Sequence, residues 1–290
     1  MRGEAAEGGA DRVVVQQFVE GVPGHHDQVE PTAQFHRRRS GGDPAHVPLR
    51  EGQWRFVPQV SGLPVRARRT AGGLDGVSPS SPVPAGFVRA HTRPVRPALV
   101  PEVALQVADD VVALWEAMEQ YRGGPAEQPP FWAAAWPGGQ VLARYVLDTP
   151  DLVAGRAVLD LGSGSGLVAV AAALAGADGV LASEIDPFGV AAIGLNAQAN
   201  GVAGIRVVGD VLEGDPPPVA VVLAGDVCYD RTMTERVLPF LERARGSGAQ
   251  VLIGDPGRMY LPRRRLTELA AYDVPDVDGA GMRRSTVWKF

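Results

Sequence analysis

AVLDLGSGSGLVAVAAALAGADGVLASEID, residues 157–186, is the stretch that decides the fold. The apolar run 157–161 reads as a buried strand. It ends in a turn with glycine at 162, 164 and 166, and the small-residue run 167–175 reads as a helix. A second apolar run, 179–183, closes on Glu184. Glycines at a strand-to-helix turn let the backbone approach a ligand closely. The acid 22 positions beyond Gly162 stands where a ribose can hydrogen-bond to it.

The detail of the turn separates two ligand classes. A dinucleotide fingerprint needs a third small residue three places after its second glycine, to pack helix against strand beside a pyrophosphate. Position 167 is Leu, which disfavours a dehydrogenase. The glycines fall instead at every second position, and Asp160 lies inside the strand end. This pattern is similar to motif I of class I S-adenosylmethionine methyltransferases, whose ligand carries no phosphate and needs no helix-dipole cradle. Glu184 and a later Asp210 after another strand strengthen that resemblance.

Outward from this unit the alternation continues. Helix 187–199 follows Asp186, strand 205–208 ends near Asp210, and strand 219–224 ends at Gly225-Asp226. Helix 232–244, strand 250–254, helix 262–271 and strand 285–290 complete the expected order. Upstream, the spacing of Val107, Val111 and Leu114 predicts an amphipathic helix over 103–118. A further helix over 140–147 precedes the first strand. Strands alternating with helices imply a parallel sheet covered on both faces, with all carboxyl ends on one side. Asp160, Glu184, Asp210 and Asp226 all stand at such ends, where ligands bind in open sheets of this type.

The chain has 290 residues, 45% of them apolar, enough for a sizeable core. A net charge of −5 argues against a nucleic-acid partner. No run of 18 apolar residues predicts a membrane span, and no basic-then-apolar leader opens the chain. The lone Cys228 rules out an internal disulfide and fits a reducing cytoplasm. Residues 1–86 hold four of the five histidines and little sustained periodicity. Their spacing matches no metal-ligand motif, so no metal is expected. That segment is expected to be a disordered tail, or an over-long translation start, with the folded domain spanning 87–290.

Taken together, PPFWAAAWPGGQVLARYVLD (129–148), VLDLGSGSGLVAVAAALAGA (158–177), ASEIDPFGVAAIGLNAQANGV (182–202) and GDVCYD (225–230) resemble one branch of the seven-β-strand methyltransferases. That branch contains the lysine methyltransferases of the electron transfer flavoprotein β subunit and related bacterial proteins. The resemblance covers about 87–290. It implies a Rossmann-like, doubly wound, mostly parallel seven-stranded α/β sheet with a short helical N-terminal extension. It also implies S-adenosylmethionine as cofactor and a protein lysine, or a small amine, as methyl acceptor.

Carried over by position, Trp136, Asp160, Gly162, Ser163, Gly164, Glu184, Asp210 and Val211 are the expected cofactor residues. Glu184 meets the ribose, and Asp210 with Val211 flanks the adenine. Asp226 and Tyr229 match an acid-x-x-aromatic signature and are the expected catalytic pair. Asp226 would orient the amine and stabilise the cationic product, with Tyr229 walling the pocket. Base and glutamine methyltransferases usually carry Asn/Asp-Pro-Pro-aromatic after the fourth strand, where this chain has Asp226-Val227-Cys228-Tyr229. The alternatives left open are a ribosomal-protein or small-amine methyltransferase and a non-catalytic cofactor-binding module.

Overall fold

A computed structural model describes residues 82–126, 128–275 and 281–290. The expected tail, apart from its last five residues, therefore lies outside the described residues. The first described element, helix α1 (Pro82–His91), runs across the boundary expected at residue 86 and belongs with the folded domain. Phe87, on this helix, is buried and stacks on His91 and against Phe188.

The stretch 93–107 forms a small antiparallel pair, β1 (Arg93–Val95) and β2 (Leu105–Val107). Helix α2 then spans Val111–Arg122, capped by Asp110, whose carboxylate accepts from the Val112 and Ala113 amides, and closed by Gly123 at φ 72°. The helix expected over 103–118 is thus a strand followed by a later helix. The reason is tertiary: the amides of Ala104 and Gln106, which a helix would use internally, donate to the side chains of Asn200 and Asn196.

Helix α3 (Pro137–Asp148) leads into β3 (Ala157–Leu161), followed by α4 (Leu167–Leu174), β4 (Gly179–Ser183) and α5 (Pro187–Ala199). Next come β5 (Ile205–Val208), β6 (Val221–Gly225), α6 (Arg231–Gly246) and β7 (Gln250–Asp255). The chain ends in β8 (Thr267–Pro275) and β9 (Met282–Lys289). The helix expected over 262–271 is absent. A single 3₁₀ turn, Arg263–Arg265, precedes β8, which pairs antiparallel with β9. With only Val274 buried, β8 is an edge strand whose hydrogen bonds come from a partner that apolar periodicity does not reveal.

The seven strands run in the order β5-β4-β3-β6-β7-β9-β8, parallel except for β9. Side chains alternate across the sheet as period two demands. Val158 faces a core with α3 and α4, while Leu159 and Leu161 face one with Phe240 and Leu241 of α6. A third cluster packs Phe87, Leu114, Met118 and Trp132 on Phe188 and Leu195 of α5. The chain winds from β3 out to β5, then returns to β6 on the other flank of β3. The carboxyl ends of β3 and β6 therefore bound the switch point where a crevice opens.

Candidate active site

At the end of β3, Gly162, Gly164 and Gly166 have φ of 66°, 55° and 80°, the left-handed region that glycine adopts without strain. The Gly164 amide donates to Glu184 Oε2 at 2.9 Å. Glu184 Oε1 accepts from the amides of Ile185 at 2.7 Å and Asp186 at 2.8 Å. The side chain lies against Gly189, where a Cβ would come within 2.9 Å of Glu184 Cγ and Cδ. Burial pushes its carboxyl up to about 7, against the lowering effect of those amides and helped by the nearby Asp186 charge.

Asp160 and Ser163 stand below this turn. Asp160 Oδ2 accepts from Ser163 Oγ at 2.6 Å and from the Ala169 amide at 3.0 Å, so it caps α4 from the strand and braces the turn. Burial pushes Asp160 up to about 6. At the end of β5, Asp210 Oδ1 accepts from the Leu212 amide and its Oδ2 pairs with Arg236 at 2.7 Å, while Val211 is buried. Ser183 Oγ donates to Gly209 O and ties this end to β4.

An aromatic wall faces the glycine turn. Trp136, the N-cap residue of α3, donates its indole N–H to Phe131 O at 2.6 Å and meets the Phe131 ring edge-on at 5.9 Å. Phe131 lies 5.3 Å from Tyr229. A Cβ on Gly164 would reach Phe131 O at 4.0 Å and one on Gly162 would reach Val227 at 3.6 Å, so the turn lies against the segments that carry the wall. Burial, then the Asp230 and Glu184 charges, push the Tyr229 phenol up to about 12; it stays protonated. Trp132, by contrast, is a core residue stacked on Phe188.

Asp226 stands at the end of β6 as expected, but its carboxylate is fully engaged. Oδ2 accepts from the amides of Gly138 and of Gly139, the latter at 3.3 Å. Oδ1 accepts from Arg258 Nη2 at 2.7 Å and Nε at 3.2 Å. The amine-orienting role expected of this carboxylate is therefore at odds with its surroundings.

Several residues of the site carry little sequence signal of their own. Ile185, 60% exposed beside the Glu184 carboxylate, is an apolar ledge that burial logic alone would place inside. Gly138, Gly225 and Gly254 let α3 touch the ends of β6 and β7: a Cβ on Gly138 would lie 2.3 Å from Gly254 O. The Trp-Pro-Gly-Gly run at 136–139 was the available hint. Arg258 reaches the site from the β7–β8 loop. A cavity of about 320 Å³ lies at the opposite edge, lined by Gly179, Arg206 and Pro217, away from all of these groups. Among the described residues no helix is long and apolar enough to cross a membrane.

Comparison with known proteins agrees with this geometry. The family model of the ribosomal protein L11 methyltransferase (PrmA) matches residues 142–225, from within α3 through the glycine turn to the end of β6. The electron transfer flavoprotein beta subunit lysine methyltransferase of Danio rerio is 37% identical over 201 residues, 66% of this chain and 77% of that protein. The protein of that name from Rattus norvegicus is 33% identical over 249 residues, 82% of this chain and 94% of its own length. The ribosomal protein L11 methyltransferase of Actinobacillus succinogenes is 51% identical over only 57 residues, 20% of this chain. By its extended similarity to the first two proteins, the chain belongs to the family of the electron transfer flavoprotein beta subunit lysine methyltransferases.

Proposed function

We propose that the cleft between the glycine turn and the aromatic wall binds S-adenosylmethionine and directs its methyl group to a lysine side chain of a protein. The electron transfer flavoprotein β subunit is the first acceptor to test. The observation that carries the reading is the Glu184 corner. There a partly buried carboxylate, held by three amides, stands beside the exposed Ile185 and the left-handed glycines.

The residues present fit that cofactor. Three amides take three of the about four lone-pair sites of Glu184 and leave one on Oε2 for a ribose hydroxyl, and Ile185 offers its apolar face to an adenine. Val211 lies beneath the same end of the sheet, with Asp210 available to an exocyclic amine. Gly162 and Gly164 give the methionine moiety backbone without side chains, and Trp136 closes the far side. Asp160 and Ser163 serve by holding the turn in shape. When bound, the cofactor supplies an electrophilic methyl group on a sulfonium, and an in-line displacement needs little beyond positioning and exclusion of water.

The acceptor lysine must arrive neutral. Taking an amine from a pKa near 10.4 to neutrality at pH 7.4 costs about 4 kcal/mol. An apolar, partly desolvated channel lowers that cost, and Phe131, Trp136 and Tyr229 offer one. A protonated Tyr229 walls the channel and adds no charge that would hold the amine as an ammonium.

The direct test is calorimetry with S-adenosylhomocysteine, followed by transfer from labelled cofactor to purified electron transfer flavoprotein. Binding without NAD affinity, and label on lysine of the β subunit, are expected. No binding of S-adenosylhomocysteine sinks the cofactor reading; binding with no labelled flavoprotein sinks the acceptor. A ribosomal-protein acceptor is the second reading, favoured by the match at residues 142–225. That match stops at the end of β6, before the acid-x-x-aromatic segment, and so bears on the cofactor side of the cleft.

A further inference from the structure

Asp226 is the one non-glycine residue with a left-handed backbone among the described residues, at φ 56°. Such a conformation is uncommon outside glycine, although Asp adopts it more readily than most residues, and it persists where its surroundings hold it. Here they do. The Asp226 amide donates to Gly254 O at 2.9 Å, one more rung of the β6–β7 ladder, and the positive φ then turns the chain out of β6. The bend aims the carboxylate at the start of α3.

The start of α3 lacks a cap of its own. Its N-cap residue is Trp136, which provides no side-chain acceptor, and Pro137 has no amide to donate. The Gly138 and Gly139 amides are therefore the first that need a partner, and both donate to Asp226 Oδ2. The cap of α3 thus comes from a residue 88 positions away. Oδ1 is taken by Arg258, which is itself placed by a second carboxylate. Asp255, wholly buried, accepts from the Gly257 and Arg258 amides at 2.7 and 2.6 Å and so shapes the loop that delivers the guanidinium.

A carboxylate has about four lone-pair sites. Four N–H groups point at this one, two of them from a cation that cancels its charge. An arriving ammonium would find no free acceptor on this carboxylate, whose charge is already paired with Arg258. We infer that Asp226 and Arg258 form a clasp that fixes the N-terminus of α3, and with it Trp136 and the aromatic wall, rather than a binding group for the acceptor amine. Asp226 is then a positioning residue for the transfer, and Arg258 its partner from the neighbouring strand end. The inference rests on the proposed methyltransferase reading.

The test uses the full chain carrying Asp226→Asn, Arg258→Met, both together, or Arg258→Lys. Three quantities are measured: the dissociation constant of S-adenosylhomocysteine, kcat and KM for the protein acceptor, and acrylamide quenching of the Trp136 emission identified through Trp136→Phe. Asp226→Asn and Arg258→Met should each weaken S-adenosylhomocysteine about tenfold and raise quenching, the scale of a lost cap or charged hydrogen bond. Each should lower kcat with less than about a twofold change in acceptor KM. The double variant should be no worse than the poorer single one, since both break one clasp, and Arg258→Lys should restore part of the loss. Unchanged cofactor affinity and Trp136 quenching in Asp226→Asn, with a raised acceptor KM, would overturn the clasp in favour of amine binding. Should Asp226→Asn not fold, Arg258→Met carries the same comparison, and a wild-type dissociation constant there overturns the clasp as well. Wild-type chain that binds no S-adenosylhomocysteine overturns the methyltransferase reading and the clasp's role in it together. Failure of the clasp alone is marked by wild-type chain that binds and variants that bind equally.

Discussion

A carboxylate that ionises near neutrality makes ligand binding depend on pH, and Glu184 is such a group. Its carboxyl is pushed up to about 7, chiefly by burial. Because this folded-state value is above the ordinary one, ionisation disfavours the ligand-free fold, and that penalty grows as pH rises from about 4.5 to 7. Ribose hydroxyls that donate to the ionised form relieve the penalty and take up the cofactor with loss of a proton. S-adenosylhomocysteine should therefore bind about tenfold tighter at pH 8 than at pH 6, as the ionised fraction rises from about one-tenth to nine-tenths. Asp160 and Asp255 are also pushed up, to about 6 and 7, so Glu184→Gln is the control: its weaker binding should lose most of the slope. A pH-independent affinity in the wild type would show that Glu184 is not the ribose acceptor. Glu184 was legible in the sequence because everything that defines it lies within one strand-turn-helix unit. The partners of Asp226 were not, since Gly138 and Arg258 lie 88 and 32 positions away in sequence. A motif records that an acid stands at a strand end, not which lone pairs are already taken.

Elements were read well where apolar spacing and a local cap agree, and badly where a distant residue supplies the hydrogen bonds. Helix α5 begins at Pro187 after Asp186, which caps the Phe188 amide, and both features are visible in the sequence. Strand β2 looked helical because Val107, Val111 and Leu114 share a spacing, yet Asn196 takes its Gln106 amide and Asn200 the Ala104 amide just before it, from 90 and 96 positions away. Asn196 is wholly buried and its amide nitrogen also donates to Ser165 O in the glycine turn, so one side chain joins the extension to that turn. The packing of α3 on the sheet makes the sharpest element-scale prediction. Gly138→Ala would place a Cβ 2.3 Å from Gly254 O and 2.8 Å from the Asp226 amide, all backbone that cannot rotate away. The helix must lift, at about 1–3 kcal/mol or more, and thermal denaturation should show a melting point lower by about 4–10 °C. Gly139→Ala, whose nearest contact is Leu167 Cδ2 at 3.9 Å, should change it far less. Equal melting points for the two would mean that α3 does not sit as closely as described.

For the molecule as a whole, the sequence was enough to foresee a doubly wound sheet with an acid at each of the ends of β3 to β6. The last strand was foreseen over 285–290, but its pairing with β8 escaped, because an edge strand with a single buried residue carries little apolar signature of its own. The start of the folded domain also moved. Phe87 is 7% exposed, and α1 lays it on Phe188 and Tyr121. A chain beginning at Ser80 should therefore outlast one beginning at Val88, which loses Pro82–Phe87 and with them one aromatic from the third core cluster. Removing a buried Phe side chain costs about 3–5 kcal/mol, so the shorter chain should melt at least about 6 °C lower by calorimetry. Identical melting would show that α1 adds nothing to the fold.

Cys228 is the single cysteine of the chain, wholly buried in the turn between Asp226 and Tyr229, with its thiol pushed up to about 12 by burial and the Asp255 charge. Such a thiol is inert while the turn is closed, because only the exposed thiolate reacts. The protein thus carries a built-in clock. The rate at which a thiol reagent labels it counts openings of the layer beneath the proposed cleft, with no engineered probe. Saturating S-adenosylhomocysteine should slow that count in proportion to occupancy, and a maleimide time course followed by mass spectrometry would read it.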